Sequence, residues 1–216
     1  NSAIEGGDTK QSHEWINQGF YIYPGSWELG KAKARTLIRE ANFKESLKIL
    51  EGLLKQKPNE SGIWMDIALA KHHLEEWNDA LNALNRVRKL NPDDPRPYCN
   101  ILSIYRTTGQ WEKANLMLEK IGHSLRNSLP VMSAEADLAL AQRQFRKAEE
   151  LFEKLCIREP EAPLHWLNQC ASLRSLRQPV KACRVIKKGI SIHPQHPLLR
   201  KALAQALAEQ GKQAQT

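Results

Sequence analysis

SGIWMDIALAKHHLEEWNDALNALNRVRKLNPDD, the stretch from Ser61 to Asp94, sets the period of the whole chain. It places Ala68 eighth, Trp77 seventeenth, Ala80 twentieth and Leu84 twenty-fourth, and ends on Asn91-Pro92-Asp93-Asp94. Pro92 cannot continue a helix, and the Asn and Asp residues around it cap helix ends. Working outward, prolines stand at Pro24, Pro58, Pro92, Pro160 and Pro194, each 34 residues from the last except for one beat, where Arg126 holds the slot. A residue type at about 5% of positions does not fall on one register so often by chance.

Units therefore begin at Trp27, Ser61, Pro95, Leu129 and Pro163, with a remainder from Pro197. The eighth position is small in most of them (Ala34, Ala68, Leu102, Ala136, Cys170, Ala204), and the twentieth is always small (Ser46, Ala80, Ala114, Ala148, Ala182). The seventeenth is aromatic in Phe43, Trp77, Trp111 and Phe145, and the twenty-fourth is large and apolar in Leu50, Leu84, Leu118, Phe152 and Ile186. Small positions let two helices approach, and the large ones are packing knobs. Each unit predicts a helix of about 14 residues, roughly 21 Å long, then a turn and an antiparallel second helix. One such hairpin cannot bury its apolar face alone, so neighbours must stack.

Composition agrees. The chain has 216 residues, 41% of them apolar and 6% aromatic, and is rich in the straight-chain residues that lose least on entering a helix. Alternating β-branched runs are nearly absent, so no sheet is expected. No apolar run is long enough for a membrane span, and Asn1 to Lys10 lacks an apolar signal region. Residues 1–8 read as a flexible lead-in, and the absence of an initial Met reads as a processed or excised piece. The four cysteines, Cys99, Cys156, Cys170 and Cys183, lack metal-site spacing and read as buried free thiols, which favours a reducing compartment and hence the cytoplasm.

The pattern resembles the tetratricopeptide repeat (TPR) family, with Trp64-Met65-Asp66-Ile67-Ala68 to Pro92 and Tyr98 to Ile121 its nearest matches. The resemblance implies an all-α fold, a right-handed α-solenoid of 34-residue helical hairpins. It sets a half repeat at 9–26, full repeats at 27–60, 61–94, 95–128, 129–162 and 163–196, and a capping helix at 197–210, all in one domain over 9–216. Ser12 and Ile16 fill the small and large slots of the leading half repeat. Departures are local: Lys33, Glu135 and Gln169 replace the usual Leu at position seven.

Chemistry-bearing motifs are scarce, and no catalysis, cofactor or metal is expected. There is no phosphate loop, zincin motif or nucleophile elbow. His72 and His73 point about 100° apart on a helix and cannot share an ion as residues four apart could. Trp64, Trp77, Trp111 and Trp166 hold packing positions of the family and are expected in the core.

In the family, first helices line a concave groove, which implies that Lys31, Arg35, Arg39, His72, His73, Arg96, Asn100, Ser103, Arg106, Asn168 and Arg174 face a partner. Opposed only by Glu28, Asp66, Asp137 and Glu209, that groove is expected to be positive and to hold an acidic, extended segment of a protein or peptide. Otherwise the same side chains are ordinary solvated helix faces. The family's clamp for a C-terminal carboxylate is not matched: Lys31 fits, but Arg35, Asp66 and Asn100 replace residues it needs.

The charge is uneven. Residues 109–216 carry 17 basic and 10 acidic side chains, and Pro163 to Ala208 contains no acid. Lys181, Arg184, Lys187 and Lys188 would form a convex basic patch on a second helix, or simply a solvated outer face. The leading reading is a protein-binding scaffold. The alternatives are nucleic-acid binding through the basic last repeat and the recruitment arm of a longer enzyme such as a transferase.

Overall fold

A computed structural model of the chain describes residues 9–213, with backbone alone for residues 9, 10, 12 and 213. The lead-in expected over 1–8 and the side chain of Ser12 lie outside what is described. Among the described residues there are thirteen helices and no strand. After α1 (Thr9–Ile22), first helices run α2 (Trp27–Arg39), α4 (Ser61–His73), α6 (Pro95–Thr107), α9 (Leu129–Ala141) and α11 (Pro163–Ser175). Second helices are α3 (Phe43–Gln56), α5 (Trp77–Leu90), α7 (Trp111–Lys120), α10 (Phe145–Arg158) and α12 (Pro179–Ile192). A short α8 (His123–Arg126) follows α7, and α13 (Pro197–Gln213) ends the series. No helix among the described residues is long and apolar enough to cross a membrane.

Each hairpin turn is built the same way. The residues at Ala41, Glu75, Gly109, Arg143 and Arg177 all have φ between 57° and 68°. The next N–H donates back to the carbonyl five residues earlier, from Asn42 to Leu37, Glu76 to Lys71, Gln110 to Tyr105, Gln144 to Ala139 and Gln178 to Leu173, at 2.8–2.9 Å. This is the Schellman closure, which satisfies carbonyls left over at a helix C-terminus. Only Gly109 takes the left-handed conformation without a Cβ penalty.

The join between repeats has its own device. Trp64 Nε1, Tyr98 Oη and Trp166 Nε1 donate to the carbonyls of Pro58, Pro92 and Pro160 at 2.9–3.0 Å, and Arg200 Nε reaches the Pro194 carbonyl at 3.0 Å. In α4, α6, α11 and α13 the fourth position thus ties the helix to the proline turn before it; in α2 and α9 that position is Gly30 and Met132.

The chain divides into two compact units, 1–104 and 105–216, with the boundary inside α6. In the first, Ala34, Ala68, Ser46, Ala80, Leu50 and Leu84 are fully buried, and Ser46 Oγ donates to the Ala34 carbonyl at 2.9 Å across the helix crossing. In the second, Ala136, Ala148, Phe152, Leu155, Cys170, Ala182 and Ile186 form the core. Cys156, Cys170 and Cys183 are buried but Cys99 is only half-buried, against the expectation of four buried thiols; burial pushes the thiols of Cys156 and Cys170 up, to about 12 and about 11.

Three further expectations need correction. Of the four tryptophans, Trp166 is buried, Trp64 and Trp77 are half-buried, and Trp111 is exposed at the start of α7. Ala204 is exposed as well, because α13 packs on α11 and α12 through Leu199, Ala202 and Ala206 instead. Where Arg126 replaces the proline, the second helix stops early: α7 ends at Lys120, Ile121 turns inward, Gly122 is extended and α8 forms a separate turn.

Candidate functional site

In the first unit, α2, α4 and α6 present adjacent faces. Arg35 Nε forks onto Asp66 at 3.0 and 2.9 Å, joining α2 to α4, and Asn100 Nδ2 donates to Met65 Sδ at 3.5 Å, joining α4 to α6. Burial raises the Asp66 carboxyl above its ordinary range despite Arg35, with Lys31 and Arg96 acting on the same carboxyl. Lys31 lies 3.7 Å from Glu60 and 5.8 Å over the Trp27 ring. Arg96 is held by Asp94 at 2.7 and 3.0 Å, and that hydrogen bond holds the Asp94 carboxyl low. Arg39 is exposed at the end of α2.

In both of these Arg–Asp pairs the acid lies beneath the base. The Asp66 side chain is 6% exposed against 48% for Arg35, and Asp94 is 10% exposed against 69% for Arg96. The surface therefore displays guanidinium, although the net charge behind it is smaller than a count of cations suggests.

The two histidines differ. His73 stacks on Phe43 with ring centroids 4.8 Å apart, while His72 sets its edge against Trp77 at 5.2 Å. Burial and the neighbouring His73 lower the His72 pKa, so its imidazole is neutral at neutral pH. His72 also borders a cavity of about 140 Å³ between α4 and α6. Its floor is Ala68, Leu84 and Ile104, and Leu69, Asn100 and Ser103 complete the wall. Sequence reasoning assigned Asn100, Ser103 and His72 to this face but missed Leu69, whose exposure at position nine of α4 was the available signal.

In the second unit, Asn168 Nδ2 donates to Asp137 at 3.3 Å, and burial raises the Asp137 carboxyl while Arg106 acts against it. Arg174 is occupied by the last helix: it donates to Glu209 at 3.1 Å and to Gln205 at 2.8 Å. A cavity of about 660 Å³ opens beside this pair, between α11 and α13. Lys181, Arg184, Lys187 and Lys188 are all exposed on one side of α12.

Family models described as Tetratricopeptide repeat match residues 37–99 and 133–182. The chain belongs to the tetratricopeptide repeat family. Among solved structures, the TPR chain matches one from the APC/C hetero-tetramer Cut9-Hcn1 with a TM-score of 0.72 and 16% identity, over 97% of this chain and 42% of that one. It also matches YrrB, described as a TPR protein with an unusual peptide-binding site, with a TM-score of 0.58 and 12% identity over 87% of this chain and 96% of that one. At these identities the likeness shows the shared α-solenoid fold. Superkiller complex protein 3 of Mus musculus is 31% identical over 77 residues, 36% of this chain and 5% of that protein's length. TPR folds generally serve as scaffolds for protein interaction.

Proposed function

We propose that the chain holds an acidic, extended segment of a protein partner against its first-helix faces and does no chemistry of its own. The observation that carries this reading is the layering of charge in the first unit: buried carboxylates orient Arg35 and Arg96, whose guanidinium groups remain outermost. Such groups are pre-organised donors that can fork onto an incoming carboxylate. Arg39, exposed at the end of α2, extends the same sign.

The test is fluorescence anisotropy with a labelled, Glu-rich dodecapeptide, beside its Lys-rich counterpart. The acidic peptide is expected to bind the wild-type chain and to lose at least tenfold in affinity on Arg39→Glu/Arg96→Glu, with helical circular dichroism unchanged. Equal binding of the Lys-rich peptide, or unchanged affinity of the variant, overturns the reading.

A second reading, binding of nucleic acid, is favoured by one specific observation: four exposed cations on α12 in a stretch that contains no acid. Phosphate neutralisation predicts a steep loss of affinity with salt. Filter binding of single-stranded RNA across a salt series checks it, and no retention at low salt ends it.

A further inference from the structure

The cavity between α4 and α6 joins an apolar floor to the polar side chains of His72, Asn100 and Ser103. Ala68, Leu84 and Ile104 are fully or almost fully buried beneath it, and Leu69 forms an apolar wall that is itself exposed. His72 meets its neighbours through ring contacts, and Asn100 donates to a thioether sulfur, a weak acceptor. A space of about 140 Å³ with this lining is of the size that takes a small apolar group, and an apolar pocket with a few convergent polar groups is the usual form of a binding site.

The spacing to the nearest exposed cation narrows the occupant. The α6 side of the cavity is Asn100, Ser103 and Ile104, which follow Arg96 by four to eight residues, about 6–12 Å along α6. Side chains on one face of an extended peptide recur every second residue, about 6.5–7 Å apart. An apolar side chain in the cavity of a peptide running along α6 therefore brings a residue two or four positions away to the Arg96 guanidinium, 69% exposed and held by Asp94. Asn100 lies between them, where its amide can meet the intervening peptide group.

We infer that this face binds an extended peptide carrying a Leu-, Ile- or Met-sized side chain in the α4/α6 cavity and a carboxylate two or four residues away on Arg96. The inference rests on the acidic-segment reading above and adds to it an apolar anchor and a spacing. Charge fixes the direction of approach, and burial of the anchor supplies most of the affinity, since apolar area removed from water is the stronger contributor at an exposed charged surface.

The experiment is selection of a phage-displayed random dodecapeptide library on the immobilised full chain. The expected result is enrichment of Leu, Ile or Met two or four residues from Asp or Glu. A synthetic peptide of that sequence should lose at least tenfold in affinity when its apolar residue is changed to Ala, and comparably on Ser103→Phe, which fills the cavity from its rim. The peptide substitution leaves the protein untouched, so the result does not depend on folding of the variant. Enrichment of acidic peptides without a spaced apolar residue overturns this inference and leaves the acidic-segment reading standing. Insensitivity to Ser103→Phe in a folded variant removes the cavity as the anchor's seat. Enrichment of no acidic peptide overturns both.

Discussion

Replacing Glu135 by Gln should destabilise the chain by about 2 kcal/mol at neutral pH, and the deficit should vanish in acid. Glu135 stands where the family usually has Leu, and its side chain is 5% exposed. Arg126 donates to it through Nη2 at 2.7 Å and Nε at 3.0 Å, and Lys147 Nζ lies at 2.9 Å. Hydrogen bonds to charged groups contribute about 1.5–3 kcal/mol each. The Arg126 and Lys147 side chains are 38% and 43% exposed, so water replaces part of what each loses, and about half of that sum survives. In a chain of this size about 2 kcal/mol corresponds to a fall of about 4–8 °C in Tm. Burial pushes the Glu135 carboxyl up, but the hydrogen bonds and charges of Arg126 and Lys147 outweigh it and hold it below its ordinary value. A carboxyl depressed in the folded state adds stability above its unfolded pKa, and that stability is lost as pH falls through the folded pKa. Urea unfolding followed by far-ultraviolet circular dichroism, from pH 7 down to pH 3, measures both effects. Glu135→Leu is the companion: it removes the desolvated charge and should lie within about 1 kcal/mol of wild type. An unchanged midpoint for Glu135→Gln at pH 7, or a gap that persists undiminished in acid, would refute the reasoning.

Glycine positions give opposite signs. Gly52 is exposed within α3 with open space where a Cβ would stand, so Gly52→Ala should stabilise by about 0.5–1 kcal/mol; at Gly189 a Cβ would lie 2.9 Å from Trp166 Cβ and Cγ, and Gly189→Ala should destabilise, both read as shifts in Tm. For the Arg35–Asp66 pair, Arg35→Gln should cost more than Asp66→Asn, by about 2 kcal/mol, because the first leaves a buried carboxylate unpaired while the second leaves a half-exposed guanidinium that water can reach. With the Asp66 carboxyl already raised by burial, the Arg35→Gln deficit should be present at neutral pH and shrink as pH falls. Equal costs for the two substitutions in urea unfolding would contradict this.

Much of the architecture could be read from residues alone, because it is local and repeated. A proline ends a helix wherever it falls, and small residues eight and twenty places into each unit, such as Ala68 with Ala80, or Ala136 with Ala148, mark where two helices touch. Those rules need only the order of residues along one hairpin. The left-handed conformation at Ala41, Glu75, Arg143 and Arg177 is not legible in residue type for an equally local reason: none is a glycine, and of the five turn residues that share it Gly109 alone is of a type that favours it.

The tertiary structure decided which charges stay exposed on the first-helix faces. Arg35 and Asp66, like Arg174 and Glu209, are more than thirty residues apart, and whether such groups pair depends on how neighbouring helices cross and which rotamers they allow. The family resemblance implied a cationic first-helix face but could not say which carboxylates would sink beneath which guanidinium groups. Nor could it place Leu69, His72, Asn100 and Ser103 around one cavity, since a cavity is a property of the gap between helices and belongs to no single stretch of chain. Period and packing follow from short-range rules of helix geometry; the charge that remains exposed, and the space beside it, follow from contacts made only when the hairpins stack.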